Sequence, residues 1–294
     1  MKKLLSLLAV SLLLCSSIIT AQTQKDLIEA IEKEGNENSQ LEQLAYEVLD
    51  LNGPRLVGTP EMKSAHDWAV NTYEKWGISA ENQQWGTWKG WQRGITHVDM
   101  VSPRIASLHA TQLAWNPSTS KKGVTAPLIT LPNFADSLAF VKWLPSVKGK
   151  IVMVSTKESF EKMKSERDSL EKIWRQNISN TGYTSRNINA AFEKSGAVGI
   201  AQSRWSEGFG ANKIFSAGTE KIPVVDISLE DYGMLYRMVE HGANPQIKIV
   251  AESKDLGIVP TFNTIATIPG TEFPDEYVIL SAHFDSWDGA TGAT

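Results

Sequence analysis

Cysteine is almost missing from this 294-residue chain, with Cys15 as its one representative. That residue sits inside an N-terminal apolar run expected to be removed, so the mature protein is expected to have no thiol. Disulfides, Cys-ligated metals and cysteine nucleophiles are then excluded. Any metal must bind through His, Asp and Glu. Without staples the chain must be stabilised by its core, and 41% hydrophobic with 21% charged residues is the composition of an ordinary globular protein. Blocks of like charge are missing too. The 29 Lys and Arg against 33 Asp and Glu leave a net charge of -4, and such a balance disfavours nucleic acid as a main partner.

Long hydrophobic runs are also scarce. The one run, Leu4 to Ile19, follows Lys2 and Lys3 and ends at Thr20-Ala21-Gln22. It is shorter than the roughly 20 residues that a helix needs to span a bilayer, and it reads as a secretory signal peptide over residues 1–21, cleaved after Ala21. The protein is therefore expected to be exported, to the periplasm or the extracellular space, with no membrane span in the mature chain. Loss of Lys2 and Lys3 takes the net charge from -4 to -6. Oligomeric state is not written in the sequence.

Several catalytic motifs are absent. There is no Gly-x-Ser-x-Gly elbow and no His-Glu-x-x-His. Gly208-Phe209-Gly210 has Lys213 where a dinucleotide fingerprint needs glycine, and Gly149-Lys150 has Leu144 where a phosphate loop needs one.

The local patterns that are present organise the chain. Leu41, Leu44, Ala45, Val48 and Leu49 repeat at helical spacing, with Ser39 and Glu42 as a capping box and Gly53-Pro54 as the stop. A second helix is predicted from Thr59 as N-cap and Pro60 at the first position to Gly77, with Met62, Ala65, Ala69, Val70, Tyr73 and Trp76 on one face. His66 lies on that stripe and reads as a half-buried histidine beside Met62 and Val70 rather than a ligand. Trp85, Trp88 and Trp91 recur every third residue among glycines, a pattern open to core packing or to a carbohydrate platform.

From Lys121-Lys122-Gly123 onward, short strands alternate with helices. Strands are expected at 126–131, 150–155, 197–203, 222–227 and 246–251, and helices at 189–195 and 229–241, the last capped by Ser228 and ended by Gly242. Lys157 to Arg175 carries mixed charges at i,i+4 and reads as a solvated helix. After Asp255 the pattern returns to longer strands, Phe262 to Ile268 and Tyr277 to His283. The second is a continuous apolar run of the kind buried on both faces of a sheet. Domain boundaries are accordingly placed near 120 and 255.

The chemistry concentrates in His283-Phe284-Asp285 at the end of that run. Side chains at i and i+2 share a face of a strand, so the Asp285 carboxylate can accept one N–H of His283, fix its tautomer and strengthen the other nitrogen as a metal ligand. The end of a strand is also the usual ligand-binding edge of an open α/β sheet.

The stretches 262–270 and 277–288, together with Asn52-Gly53-Pro54-Arg55-Leu56-Val57-Gly58-Thr59-Pro60, closely resemble the zinc-dependent exopeptidases of the plasma glutamate carboxypeptidase (carboxypeptidase Q) and aminopeptidase Y type. Gly149-Lys150-Ile151-Val152, Gly196-Ala197-Val198-Gly199-Ile200 and Ile222-Pro223-Val224-Val225 resemble a protease-associated (PA) domain. The resemblance implies an α/β fold: a three-layer zinc-peptidase domain, discontinuous and incomplete over 22–120 and 256–294, with a PA-like α+β insert over 121–255.

It also implies a two-zinc site in which His283 ligates one metal and Asp285 orients it. The implied bridging carboxylate would follow Gly292-Ala293-Thr294, and a Glu-Glu pair, a further acid and a second histidine would come later. On this reading the substrates are peptides, the parent protein is a zinc exopeptidase, and the 294-residue chain is expected to be inactive. The competing reading is a non-catalytic surface or binding protein that uses the PA-like segment and the tryptophans. Whether a free amine or a free carboxylate is recognised is left open.

Overall fold

The computed structural model describes residues 25–155, 167–203 and 217–289, with side chains from 172 onward in the second stretch. The expected signal peptide and residues 157–166 of the charged helix lie outside the described residues. The chain divides into two compact units, Met1–Leu51 and Asn52–Thr294.

In the first unit, residues 25–37 are helical (α1). Helix α2, Leu41–Ala45, passes into a π-helical turn over Tyr46–Leu51. The capping box predicted at Ser39 is not formed. Gln40 is the N-cap with no side-chain bond, and Ser39 Oγ accepts from the nearer N–H of Leu41 at 3.3 Å. No residue of this segment is buried, so packing does not enforce the regular α-helix that its spacing predicted.

The second unit is built on one eight-stranded mixed sheet in the order β2-β1-β8-β4-β5-β6-β7-β3. Its strands are β1 (Ser79–Ser102), β2 (Ala106–Leu108), β3 (Ala110–Gln112), β4 (Val124–Thr130), β5 (Ile151–Met153), β6 (Gly199–Gln202), β7 (Val224–Ile227) and β8 (Gln246–Thr267). Strands β4, β5, β6 and β7 run parallel, and alternate side chains on them enter opposite cores. Ile151 and Met153 join Ala201, Val225 and Ile227 in one, whereas Val152, Ile200 and Val224 join the other.

Helix α7 (Leu229–Glu240) covers the first face through Tyr232, Leu235 and Tyr236. Helices α4 (Ser137–Trp143), α5 (Arg167–Asn180) and α6 (Ile188–Lys194) cover the second through Phe140, Ile178 and Phe192. Period-2 patterning with apolar residues at both parities is what a sheet buried on both faces requires. The predicted cap of α7 is present, with Ser228 Oγ accepting from Asp231 N–H. Helix α4, capped by Asp136, was not read from the sequence because its apolar run is only two turns long.

Strands β1 and β8 form a long antiparallel ribbon that continues past the sheet. The tryptophan-rich segment and the strands predicted separately at 246–251 and 262–268 all belong to it. The boundary placed at 255/256 falls inside β8, where Gly90 pairs with Gly257 but Trp91 with Asp255, leaving Leu256 as an extra residue. Such a bulge bends the ribbon. A second register shift falls between Arg93 and Thr96, and there a Cβ on Gly94 would meet the Glu252 carbonyl oxygen at 2.9 Å. Trp91 is buried while Trp85 and Trp88 stay half exposed, and register shifts at Gln84/Gly86 and Gly90/Trp91 break the simple alternation of faces between them.

Helix α3 (Pro60–Lys75) packs on the ribbon with Met62, Ala65, His66 and Ala69 buried. Its predicted start is present: Thr59 Oγ1 accepts from Met62 N–H at 3.2 Å and Pro60 occupies the first position. Ahead of it Gly58 has φ of +84°, and a Cβ there would run into the Lys89 carbonyl, so only glycine fits.

The strand predicted over Tyr277–His283 is not observed. Residues 276–287 form neither helix nor strand, and Val278 and Leu280 are 103% and 100% exposed. A strand needs a neighbouring backbone to satisfy its N–H and C=O groups. No strand among the described residues pairs with this one, so apolar sequence alone does not make it a strand.

Candidate metal centre

His283 and Asp285 meet as the spacing predicted, although no strand holds them: His283 Nδ1 and Asp285 Oδ1 are 2.8 Å apart. With the proton on Nδ1 donated to the carboxylate, the lone pair of Nε2 points away from Asp285 and is available to a metal. The imidazole is 87% exposed and the Asp285 side chain 39%.

Phe284, between them, packs its ring edge-on against His66, with centroids 5.4 Å apart. His66 is only 3% exposed, more deeply placed than its stripe predicted. Its Nδ1 lies 2.8 Å from Thr264 Oγ1. The Thr264 hydroxyl proton goes to Asn82 Oδ1, so His66 Nδ1 must be the donor to Thr264. Asn82 in turn donates to Asp67. Burial holds the His66 pKa below the ordinary histidine value, the Asp67 charge opposing this and Lys63 adding to it. The histidine thus ties α3 to the ribbon and serves as a platform for Phe284, not as a ligand.

Two arginines that the sequence reading did not single out hold the rest of the segment. Arg55, 4% exposed, donates through Nε to the Phe284 carbonyl at 2.9 Å and through Nη1 to the Gly53 carbonyl. Its backbone N–H donates to Ser286 Oγ at 2.8 Å, and its carbonyl accepts from Ser286 N–H at 3.0 Å. Burial pushes the guanidinium below its usual pKa, and the Asp285 charge opposes that. Arg93 binds Asp288 with both ends of its fork, Nε to Oδ1 at 3.2 Å and Nη2 to Oδ2, while its guanidinium lies 4.9 Å from the Trp91 ring centre. Both carboxylate oxygens of Asp288 are thereby engaged by Arg93. No local pattern could have flagged either arginine, because their partners lie 195 to 231 residues away.

Among the described residues, no group of three or more His, Cys, Asp or Glu could hold a metal ion. The pair therefore fits zinc as one ligand with its orienting carboxylate, not as a complete shell. A cavity of about 250 Å³, lined mainly by apolar groups including Val57, Met62, His66, Trp85 and Phe262, lies nearby between α3 and the ribbon. No helix among the described residues is long and apolar enough to cross a membrane.

No family model matches the chain. Human carboxypeptidase Q is 26% identical over 271 residues, covering 87% of this chain and 51% of that protein. The rat protein of the same name is 26% identical over 259 residues, covering 84% and 49%. The chain thus spans about half the length of the curated relatives it matches. The crystal structure of a peptidase M28 precursor from Shewanella amazonensis aligns with a TM-score of 0.57 at 24% identity, covering 91% of this chain and 60% of that one. A zinc aminopeptidase from Bacillus subtilis aligns with a TM-score of 0.51 at 17% identity, covering 85% and 52%. At those identities the two structures speak for the fold alone. The resemblance to the zinc-dependent exopeptidases of the carboxypeptidase Q type is borne out as a similarity over most of the chain, and the fold is that of the M28 peptidases, while these likenesses say nothing of a PA-like insert.

Proposed function

We propose that the protein is an exported zinc metallo-exopeptidase that hydrolyses peptide bonds at chain termini or in dipeptides, with a site built for two zinc ions. The observation that carries this reading is the 2.8 Å contact of His283 Nδ1 with Asp285, in a chain whose likeness to carboxypeptidase Q covers 87% of its length. His283 would hold one zinc through Nε2. Asp285, accepting the Nδ1 proton, keeps the ring in that tautomer and raises its basicity. When bound, zinc supplies a polarised scissile carbonyl and a water acidic enough to act as hydroxide near neutral pH.

The proposal extends to the organisation of the chain: a signal peptide over 1–21, a peptidase domain contributed by 22–120 and 256–294, and a PA-like insert over 121–255. The parallel run of β4 to β7 between two helical layers supports the insert, although Val98, Met100 and Leu108 share its core and β3 shares its sheet, and the Leu256 bulge supports a change of unit near 255. In the second reading the protein binds ligands without catalysis. The half-exposed Trp85 and Trp88, with the apolar cavity beside Trp85, favour it.

The test is metal analysis and dipeptide hydrolysis on the full-length protein. His283→Ala is expected to lose a zinc ion and nearly all activity, and Asp285→Asn to keep the fold while losing about 10- to 100-fold in affinity or turnover. Zinc content and turnover unchanged in His283→Ala overturn the site assignment. A protein that hydrolyses no peptide, yet binds a ligand in a Trp85-dependent way, establishes the second reading instead.

A further inference from the structure

His283 and Asp285 lie in a segment without a backbone ladder, yet a metal ligand must be held to within about 0.5 Å of its working position. We propose that Arg55 is the positioning residue of this site, an inference that rests on the metallopeptidase reading. Its bonds fall on both peptide units that flank Asp285. The Phe284 carbonyl belongs to the peptide plane entering Asp285 and accepts from Arg55 Nε at 2.9 Å. The Ser286 N–H belongs to the plane leaving Asp285 and donates to the Arg55 carbonyl at 3.0 Å. Ser286 Oγ, accepting from Arg55 N–H at 2.8 Å, locks the same junction a second time.

With both planes fixed, the backbone dihedrals of Asp285 are fixed, and so is the direction from which its carboxylate meets His283. The guanidinium is itself held by the Gly53 carbonyl and is almost fully buried, so it cannot swing with the segment. A lysine cannot reproduce this, because its single ammonium lacks the planar fork that reaches two carbonyls at set angles. The edge-on contact of Phe284 with His66 adds a third restraint on the residue between the pair. Residues some 230 positions apart thereby build one site, the loop ahead of α3 orienting the histidine that takes the metal.

The experiment uses the full-length protein and its Arg55→Gln, Arg55→Lys, Ser286→Ala and Leu56→Ala variants. Zinc affinity is read by competition with a chelator, and amide hydrogen exchange is read over 285–288 without metal. Arg55→Gln is expected to bind zinc about 10- to 100-fold more weakly and to exchange faster over 285–288. Arg55→Lys should recover thermal stability more than zinc affinity, and Ser286→Ala should shift both readouts the same way by less. Leu56→Ala, which thins the buried cluster of Leu56, Trp91 and Ala114, should lower the Tm while leaving zinc affinity within about twofold of the unsubstituted protein.

Zinc affinity in Arg55→Gln equal to that of the unsubstituted protein overturns the proposal, as does an equal loss in Leu56→Ala at a matched fall in Tm. If Arg55→Gln fails to fold, Ser286→Ala decides, and unchanged affinity and exchange there overturn the role. Absence of zinc binding in the unsubstituted protein instead sinks the metallopeptidase reading and this inference with it. Zinc bound equally by the unsubstituted protein and Arg55→Gln sinks only the role of Arg55.

Discussion

Two neighbouring stretches near the C-terminus invert the ordinary relation between hydrophobicity and burial. Tyr277, Val278, Ile279 and Leu280 are apolar and stand fully in the open, whereas the polar Ser286 and Asp288 six or more residues later are buried. The apolar stretch has no hydrogen-bonded neighbour among the described residues. The polar stretch has Arg55 on one side and Arg93 on the other. Burial of a backbone costs free energy unless each N–H and C=O is satisfied. Specific donors, not side-chain hydropathy, therefore decide which part of this segment is placed.

The strongest test of that contrast is to remove an anchor from the polar stretch. Asp288→Ala leaves the Arg93 guanidinium without its carboxylate in a mostly buried position, and a cost of about 3 kcal/mol is expected, read as a lowered midpoint in chemical denaturation. Ser286→Ala should cost less, about 1 to 2 kcal/mol, because one buried backbone donor on Arg55 loses its acceptor.

A pH series probes the platform beneath Phe284. Burial holds the His66 pKa down, so below the ordinary value of about 6.5 the unfolded chain takes up a proton that the folded protein resists. This contribution to stability is complete above that pH and is lost as the pH falls through the folded pKa. His66→Gln should flatten the acid limb of a pH–Tm profile between neutrality and mildly acidic pH, and an unchanged limb would show that His66 does not set it. The smallest effect belongs to the apolar stretch. Val278→Ser and Leu280→Ser in the 294-residue chain should move stability by no more than about 0.5 kcal/mol, while reducing self-association in light scattering by shrinking an exposed apolar patch. A loss of more than about 2 kcal/mol would mean that these side chains are packed after all.

A further measurement addresses the site directly. The described residues offer one zinc ligand with its partner, and tight zinc binding needs several ligands placed together by the fold. Calorimetric titration of the 294-residue chain is therefore expected to show no tight uptake of two zinc ions. Two-site binding at stoichiometric concentration would show that its residues assemble a fuller shell.

The sequence by itself determined those features whose causes lie within a few residues. Thr59 and Pro60 start α3 and Ser228 starts α7, because a cap is a bond to a backbone N–H three residues on. The strands β4 to β7 were legible because alternation of apolar residues is a local pattern, and His283 with Asp285 because i and i+2 are close in any extended chain. What only the tertiary structure decided depends on partners far along the chain. The fusion of the tryptophan-rich segment with residues 246–267 into one ribbon, the absence of a strand at 277–283, the depth of His66 and the roles of Arg55 and Arg93 all belong to this class. Each is set by which backbone or carboxylate arrives at the site, and over separations near 200 residues no periodicity in the sequence records that arrival.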